Sequence, residues 1–387
     1  MNFASDPRVE TFRAEVREFL AEHLTPEILA RVAESGTSHD WDLHAALAGR
    51  GWLAAALPTA LGGQGRTPDE LAVLLEEMEI AGAPYDGLGV TMLVLAVLAH
   101  VGQEYQRRIV MPALLRGDAI VSLGYSEPDA GSDVAAVATF AEPRNGSWVI
   151  NGQKMFTSLA EESRWSFVLA RTSRDVAKHR GLTFFLVPLN GDGVEISPIR
   201  TFSGKRTNVV HYTDVVVSDD LRVGEVNGGW EVMLVALAFE RGVVGGASHC
   251  KPLVEQAMRV ASAVGEDGQP RFTDTSISAD VARIAIDAEV ASLLAARATW
   301  IATTGQLPGE AGAMCKLFAS ETFTRASSAL MDMLGVDALM EETKDGGWPT
   351  IAHAFKFAPV TTVYGGTSEI QRNLIAERTL RLPRRPR

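Results

Sequence analysis

Two cysteines in 387 residues, Cys250 and Cys315, leave no material for a disulfide framework. Neither sits in a CxxC pair or a Cys/His cluster and the histidines are scattered, so no metal site is expected and a reducing cytoplasm is the expected home. Long apolar runs are also missing. The longest, Leu88–Ala99, has about a dozen residues where a membrane span needs about 20, and it predicts a buried core helix with no membrane role. Basic charge is scarce: 36 Lys and Arg face 48 Asp and Glu, for a net charge of −12. That balance lacks the positive field a nucleic-acid binder needs. The N-terminus carries Asp6, Glu10, Glu15 and Glu18 where a presequence would be basic and then apolar, so none is expected. No G-x-G-x-x-G opens a helix after a strand, and neither a P-loop nor a G-x-S-x-G elbow is present.

What is there divides into three stretches. The first, to about residue 119, reads as helical. Asp6-Pro7 is an N-cap followed by Pro, with Val9, Phe12, Val16, Phe19 and Leu20 at helical spacing after it. Thr67-Pro68-Asp69-Glu70 reads as a capping box before Leu71, Leu74, Leu75 and Met78. From residue 120 to 224 short β-branched and aromatic runs predict an antiparallel β domain: Ser147–Ile150, Trp165–Ala170, Leu182–Val187, Val194–Ile196 and Val209–Val217. Asn145-Gly146, Asn151-Gly152 and Asn190–Gly193 separate them as turns. From 225 to 387 the chain is helical again. Ile277, Val281, Ile284, Ala288, Ala291 and Ala295 make the seam of a long helix. Further helices are expected near Gly312–Leu334 and Thr367–Arg378, and the last three form a C-terminal bundle.

Three motifs carry candidate chemistry. Gly124–Asp133, GYSEPDAGSD, suits a loop that approaches a polar or anionic ligand through its backbone, with Ser126 and Ser132 supplying hydroxyls. Composition alone favours a plain turn closing the β domain. Asn151–Ser158, NGQKMFTS, is expected as a hairpin turn leading into a strand. There Phe156 could cover a flat heterocycle while Thr157 and Ser158 bond its edge; an ordinary strand with one buried ring is the commoner outcome. The third is Val363–Arg372, VYGGTSEIQR.

Taken together and in order, these motifs resemble the acyl-CoA dehydrogenase family along essentially the whole chain. Gly51-Trp52, Ala60–Gly65, Lys178–Gly181 and Val223–Trp230 agree with it. The resemblance implies an α+β fold with an N-terminal helical domain, a middle β domain and a C-terminal four-helix bundle. FAD is implied between the last two. Leu123, Tyr125, Ser126 and Ser132 would line the flavin and its pyrophosphate. Phe156 stands where the family usually has Trp, Ser158 replaces a Thr on the N5 edge with Thr157 beside it, and Thr367, Ser368 and Glu369 approach from a helix N-terminus. Ser132, Arg241 and Gly366 are implied substrate contacts.

The third motif departs from the family at one place. Where most members carry the Glu that removes the substrate α-proton, this chain has Gly365, which keeps only a backbone N–H for the thioester oxygen. The replacement base is sought in Trp230–Gly245. Glu240 falls seven residues after Met233 and three after Leu237, on an apolar helix face, where burial raises a carboxyl pKa toward a general base's range. A Glu in such a place is more often paired with an Arg or capped by backbone. The isovaleryl-CoA and long-chain members, however, carry their base on this helix, and Glu240-Arg241 with Gly365 matches their arrangement.

The implied activity is FAD-dependent α,β-dehydrogenation of an acyl-CoA or acyl-carrier-protein thioester, with electrons passed to an electron-transfer flavoprotein by a homo- or hetero-oligomer (dimer or tetramer). A flavin oxidase or monooxygenase of the same fold is an alternative, as is a non-catalytic subunit of a mixed tetramer. CoA is polyanionic and needs local cations; Lys178-His179-Arg180, Lys205-Arg206 and Arg381/Arg384/Arg385 are the candidates, although each alone reads as solvated surface. A second departure lies at Val264–Gly268, where the family's R-x-x-F-G is reduced to its Gly and Arg271 is the nearest substitute for an Arg that reaches a neighbouring subunit's FAD.

Overall fold

The computed structural model describes residues 6–243, 247–265, 268–339 and 351–383, with the side chains at 238, 240–243 and 339 left aside. The elements run α1 (Pro7–His23), α2 (Pro26–Ser35), α3 (Trp41–Gly49), α4 (Pro68–Ile80), α5 (Asp86–Val101), a π-helical turn (Gln106–Val110), α6 (Met111–Leu115) and β1 (Val121–Gly124). There follow β2 (Phe140–Arg144), β3 (Ser147–Lys154), β4 (Trp165–Arg171), β5 (Leu182–Pro188), β6 (Val194–Arg200), β7 (Arg206–Ser218) and β8 (Arg222–Val223). The rest is helical: α7 (Gly229–Val243), α8 (Cys250–Ser262), α9 (Thr275–Thr303), α10 (Gly309–Leu334), α11 (Ile351–Thr361) and α12 (Ser368–Leu374). The expected succession of helical, β and helical stretches is what the chain forms.

These elements fall into two compact units. One comprises Glu22–Thr67 and Pro84–Phe239, and the other Met1–Ala21, Pro68–Ala83 and Glu240–Arg387.

The first unit is built on one sheet in the order β6-β7-β3-β2-β4-β5-β8, with β1 added against β4. Most neighbours are antiparallel, but β1 pairs parallel with β4. Asn145-Gly146 makes the expected hairpin between β2 and β3, both residues at positive φ (52° and 77°). Asn151-Gly152 does not. It lies inside β3 at a bulge where the register to β7 slips, with Gly152 at φ 143° and its missing Cβ 2.6 Å from Thr139 Oγ1. The same dipeptide that signals a hairpin here lets Thr139 approach. β4 and β5 are buried along almost their whole length and mostly apolar because both faces are covered, and they place Phe167 and Phe184 in a stack at 4.2 Å. The run at Leu88–Ala99 is the buried part of α5 as expected.

The second unit packs α8, α9, α10 and α11 around one apolar core. The α9 seam is as read: Val281, Ile284, Ala288 and Ala291 are buried, with Ile277 and Ala295 packed against them. α10 contributes Ala319, Phe323, Ala326 and Leu330 to the same core, and small residues on both helices allow close approach. Asp274 caps α9, accepting from Ser276 N–H at 2.7 Å.

Candidate functional site

The first two motifs meet in the β unit. Met155 N–H donates to Ser126 C=O at 2.9 Å, joining the Tyr125–Glu127 turn to the end of β3. Beneath that seam Lys154 Nζ donates to Glu127 Oε1 at 2.7 Å and to Tyr125 C=O at 3.4 Å. Glu127 also accepts from the N–H groups of Ala138 (2.6 Å) and Thr139 (2.9 Å). Burial pushes Lys154 down to about 8 against the pull of Glu127. For Glu127 burial opposes ionisation, yet the Lys154 ammonium and the Ala138 and Thr139 contacts outweigh it and hold the carboxyl below its ordinary value. The Tyr125 ring lies edge-on to Phe184 at 5.5 Å and to Phe167 at 6.1 Å, while Leu123 is half-buried in β1. Sequence reading passed over Glu127 and Lys154, since one acid and one base in separate motifs look like surface charge.

Residues 156–158 form no strand, contrary to expectation. Phe156 and Leu159 both take positive φ, 59° and 63°, which costs a bulky residue on the order of 1–3 kcal/mol and persists only where neighbours enforce it. Asn208 is the enforcer: Thr157 N–H donates to its C=O and its Nδ2 donates to Thr157 C=O, both at 2.9 Å. The knuckle leaves the Phe156 ring 61% exposed. Thr157 Oγ1 is buried without a hydrogen-bond partner among the described residues. Ser158 Oγ donates instead to Thr207 Oγ1 at 3.2 Å, so its hydroxyl is already engaged inside the unit. Ser126 is half-buried, and Ser132 is exposed next to Asp133, which pairs with Lys178. An open aromatic face beside an orphaned hydroxyl is what the edge and face of a flavin ring would satisfy.

The third motif lies in the helical unit. Gly365 and Gly366 are consecutive left-handed residues at φ 62° and 90°. Gln371 Nε2 donates to Gly365 C=O at 2.9 Å and to Gly366 C=O at 3.2 Å, and Lys316 Nζ donates to Gly366 C=O at 2.7 Å. A Cβ on Gly366 would lie 2.8 Å from Gln371 Nε2. With its carbonyls pinned, the turn presents a Gly365 N–H that meets no acceptor among the described residues. Thr367 caps α12 by accepting from Ile370 N–H at 3.3 Å, and Ser368 Oγ is buried without a hydrogen-bond partner among the described residues. Glu369 is exposed, its carboxyl lowered by its own backbone N–H and the Thr367 hydroxyl. α12 has only seven residues before a π-helical turn at Ile375–Thr379, a weaker dipole than the expected phosphate-favouring helix.

Glu240 and Arg241 lie on α7, Glu240 seven residues after buried Met233, but their side chains are outside the described residues. So are Arg384 and Arg385 of the third cation cluster, and Glu266 and Asp267 of the departed R-x-x-F-G stretch. Arg271 donates to Met333 C=O at 2.8 Å and faces Asp337 at 3.6 Å, so its guanidinium is taken up inside its own unit. Among the described residues no group of three or more His, Cys, Asp or Glu could hold a metal ion, and no helix is long and apolar enough to cross a membrane.

Family models for the N-terminal, middle and C-terminal domains of acyl-CoA dehydrogenase match residues 6–118, 122–215 and 227–380. The chain belongs to the acyl-CoA dehydrogenase family. It therefore has that family's helical, β and helical domains and is an FAD-dependent oxidoreductase. It is 32% identical to acyl-CoA dehydrogenase FadE26 of Mycobacterium tuberculosis over 99% of both chains. Acyl-CoA dehydrogenase IpdE1 of the same organism is 35% identical over 97% of this chain and 98% of that one. Among solved structures, the ChsE4-ChsE5 complex from Mycobacterium tuberculosis superposes with a TM-score of 0.88 at 30% identity, and a steroid ACAD, Tcur3481-Tcur3483, with 0.90 at 28%, each covering all of both chains.

Proposed function

We propose that this acyl-CoA dehydrogenase converts an acyl-CoA thioester to the trans-2-enoyl-CoA, with Glu240 as general base and the Gly365 N–H as oxyanion donor. The observation that carries the reading is the Gly365–Gly366 turn, whose carbonyls are tied down while the Gly365 N–H meets no acceptor among the described residues. The α-proton of a saturated thioester is weakly acidic, so its removal needs donors already in place where enolate charge develops. Glu240 takes that proton and Gly365 N–H holds the oxygen. Bound FAD supplies the acceptor for the β-hydride. Phe156 would cover the flavin ring, Thr157 and Ser368 would bond it, and Leu123, Tyr125, Ser126, Ser132, Ser158, Thr367 and Glu369 would complete its surroundings; Arg241 and Gly366, with Ser132, would contact substrate. We assign domain boundaries near residues 119 and 224.

Bulky acyl groups, of the kind handled by the steroid ACAD neighbour, are the favoured substrates, because Gly365 adds no side chain beside the α-carbon. CoA is the favoured carrier, electron-transfer flavoprotein the favoured acceptor and the cytoplasm the favoured location. Anaerobic titration of the yellow protein with straight, branched and steroid side-chain acyl-CoAs tests this directly, with bleaching of flavin absorbance as the readout. A colourless preparation that FAD cannot reconstitute would sink the reading, and fast reoxidation of reduced flavin in air would replace the dehydrogenase with an oxidase.

A mixed assembly is the second reading. Two well-matched structures are named for pairs of proteins, and the Arg expected to reach a neighbour's FAD is absent here. On α9, Ile286, Leu293 and Trp300 recur every seventh residue and are 62%, 41% and 44% exposed, an apolar stripe suited to a partner helix.

A further inference from the structure

Next to the Gly365 turn, three side chains remote in sequence form a line within the helical unit, running from buried Glu79 and His249 out to Tyr364, which is 42% exposed. Glu79 on α4 places Oε1 2.5 Å from His249 Nδ1, each side chain only 10% exposed. The opposite ring nitrogen, Nε2, faces the Tyr364 hydroxyl at 3.4 Å. The imidazole is stacked on Phe323 at 5.2 Å and set edge-on to Phe357 at 5.7 Å, so its plane is held by packing. The two ring nitrogens thus face different partners, Nδ1 the Glu79 carboxylate and Nε2 the Tyr364 hydroxyl, and the hydroxyl can donate or accept as the ring requires.

We propose that Glu79, His249 and Tyr364 form a positioning chain for the Tyr364–Gly365 peptide, and so for the Gly365 N–H that takes the thioester oxygen. This rests on the function proposed above and adds residues to it. The peptide N–H of Gly365 is bonded to the carbonyl carbon of Tyr364, so fixing the phenol limits rotation of that N–H. The need is physical. Two consecutive glycines in left-handed conformation have the widest alternatives of any residue pair, and Gly365 has no side chain of its own to pack. An oxyanion donor displaced by a fraction of an ångström loses much of its effect. Gln371 and Lys316 hold the carbonyls of the turn; the Tyr364 phenol holds its entry.

The test uses the FAD-loaded protein with Tyr364→Phe, His249→Gln and the double variant. Amide hydrogen exchange across 362–367 and the rate of flavin bleaching by the best acyl-CoA are both measured. Each single variant is expected to exchange faster at Gly365 and to lose about 10-fold in kcat with KM little changed, as for a weakened transition-state donor. The double variant should be no worse than either single one. Melting temperatures close to wild type separate this from unfolding. Unchanged exchange and rate in Tyr364→Phe, or multiplicative losses in the double variant, overturn the chain. Should no acyl-CoA bleach even the wild type, the proposed function fails, while the exchange comparison still decides whether the chain holds the turn.

Discussion

Lys154 and Glu127 meet at 2.7 Å with side chains 0% and 7% exposed, and this pair ties the GYSEPDAGSD and NGQKMFTS motifs into one body. Removing one partner of such a pair strands a buried charge. Glu127→Gln should therefore lower unfolding stability by about 3–5 kcal/mol, while a double change to Gln and Met should recover much of the loss. Because Glu127 is held below its ordinary carboxyl value, its contribution is in place above pH 4.5 and is lost as pH falls through the native value. Denaturant midpoints of the three proteins at neutral pH check the first part, and their pH series the second.

His39 and His44, in the β-containing unit, are buried with rings 4.9 Å apart. Burial pushes His39 down to about 4 and His44, with some repulsion from His39, to about 3. The unfolded chain takes up protons near 6.5 while the native rings stay neutral, so stability must fall as pH drops from 6.5 toward 4. At pH 5 the cost is about 2 kcal/mol per histidine. Urea midpoints at pH 7 and pH 5 should show that drop in wild type and a shallower one in the His39→Gln/His44→Gln protein. Equal slopes would remove these histidines from the acid response.

How much of this was legible in the sequence depended on whether a signal was local. β4 and β5 announced themselves by mostly apolar runs because both faces are buried, and β7 and the α9 seam by their β-branched run and spacing, because burial of one face leaves a periodic trace. β1 and β2 did not; at four and five residues they are too short to carry a pattern. Asn151-Gly152 misled because a bulge and a hairpin use the same positive-φ residue. The Phe156 knuckle was invisible since Asn208, which enforces it, is distant along the chain. Glu79 and His249 gave no warning for the same reason. The motifs around Gly124, Asn151 and Gly365 named the candidate residues; their partners Lys154, Asn208, Gln371 and His249 came only from the fold.

Glu240→Gln isolates the proton-transfer step. The amide keeps the shape of the carboxylate and cannot act as a base, so the variant should retain bound FAD yet lose substrate-dependent bleaching by about 10²–10⁴-fold. Stopped-flow absorbance under anaerobic conditions measures it. Unchanged turnover would take Glu240 out of the mechanism and return the search for a base to other carboxylates of the helical unit.

Gly365→Glu restores the side chain that most family members carry at this turn. At φ 62° a non-glycine residue is strained by about 1–2 kcal/mol, so a modest fall in melting temperature is expected. The added carboxylate also fills the space beside the α-carbon. Branched and steroid side-chain acyl-CoAs should lose bleaching activity before straight-chain ones do. A uniform loss across the panel would point to strain in the turn alone and would remove Gly365 as a determinant of acyl bulk.

The stripe of Ile286, Leu293 and Trp300 on α9 makes a prediction about assembly. An apolar row every seventh residue on a long helix is costly in water and is covered when a second chain packs along it. Leu293→Asp places a charge in the middle of that row without touching buried Val281, Ile284, Ala288 or Ala291 on the core seam. Light scattering after size exclusion should show the wild type as a dimer or tetramer and the variant shifted to smaller species, with the melting temperature of the monomeric fold retained. If wild type runs as a monomer when expressed alone and assembles only on adding a companion acyl-CoA dehydrogenase chain, the stripe belongs to a mixed interface, and Leu293→Asp should block that assembly instead. An assembly that tolerates Asp at this position would place the interface on another face.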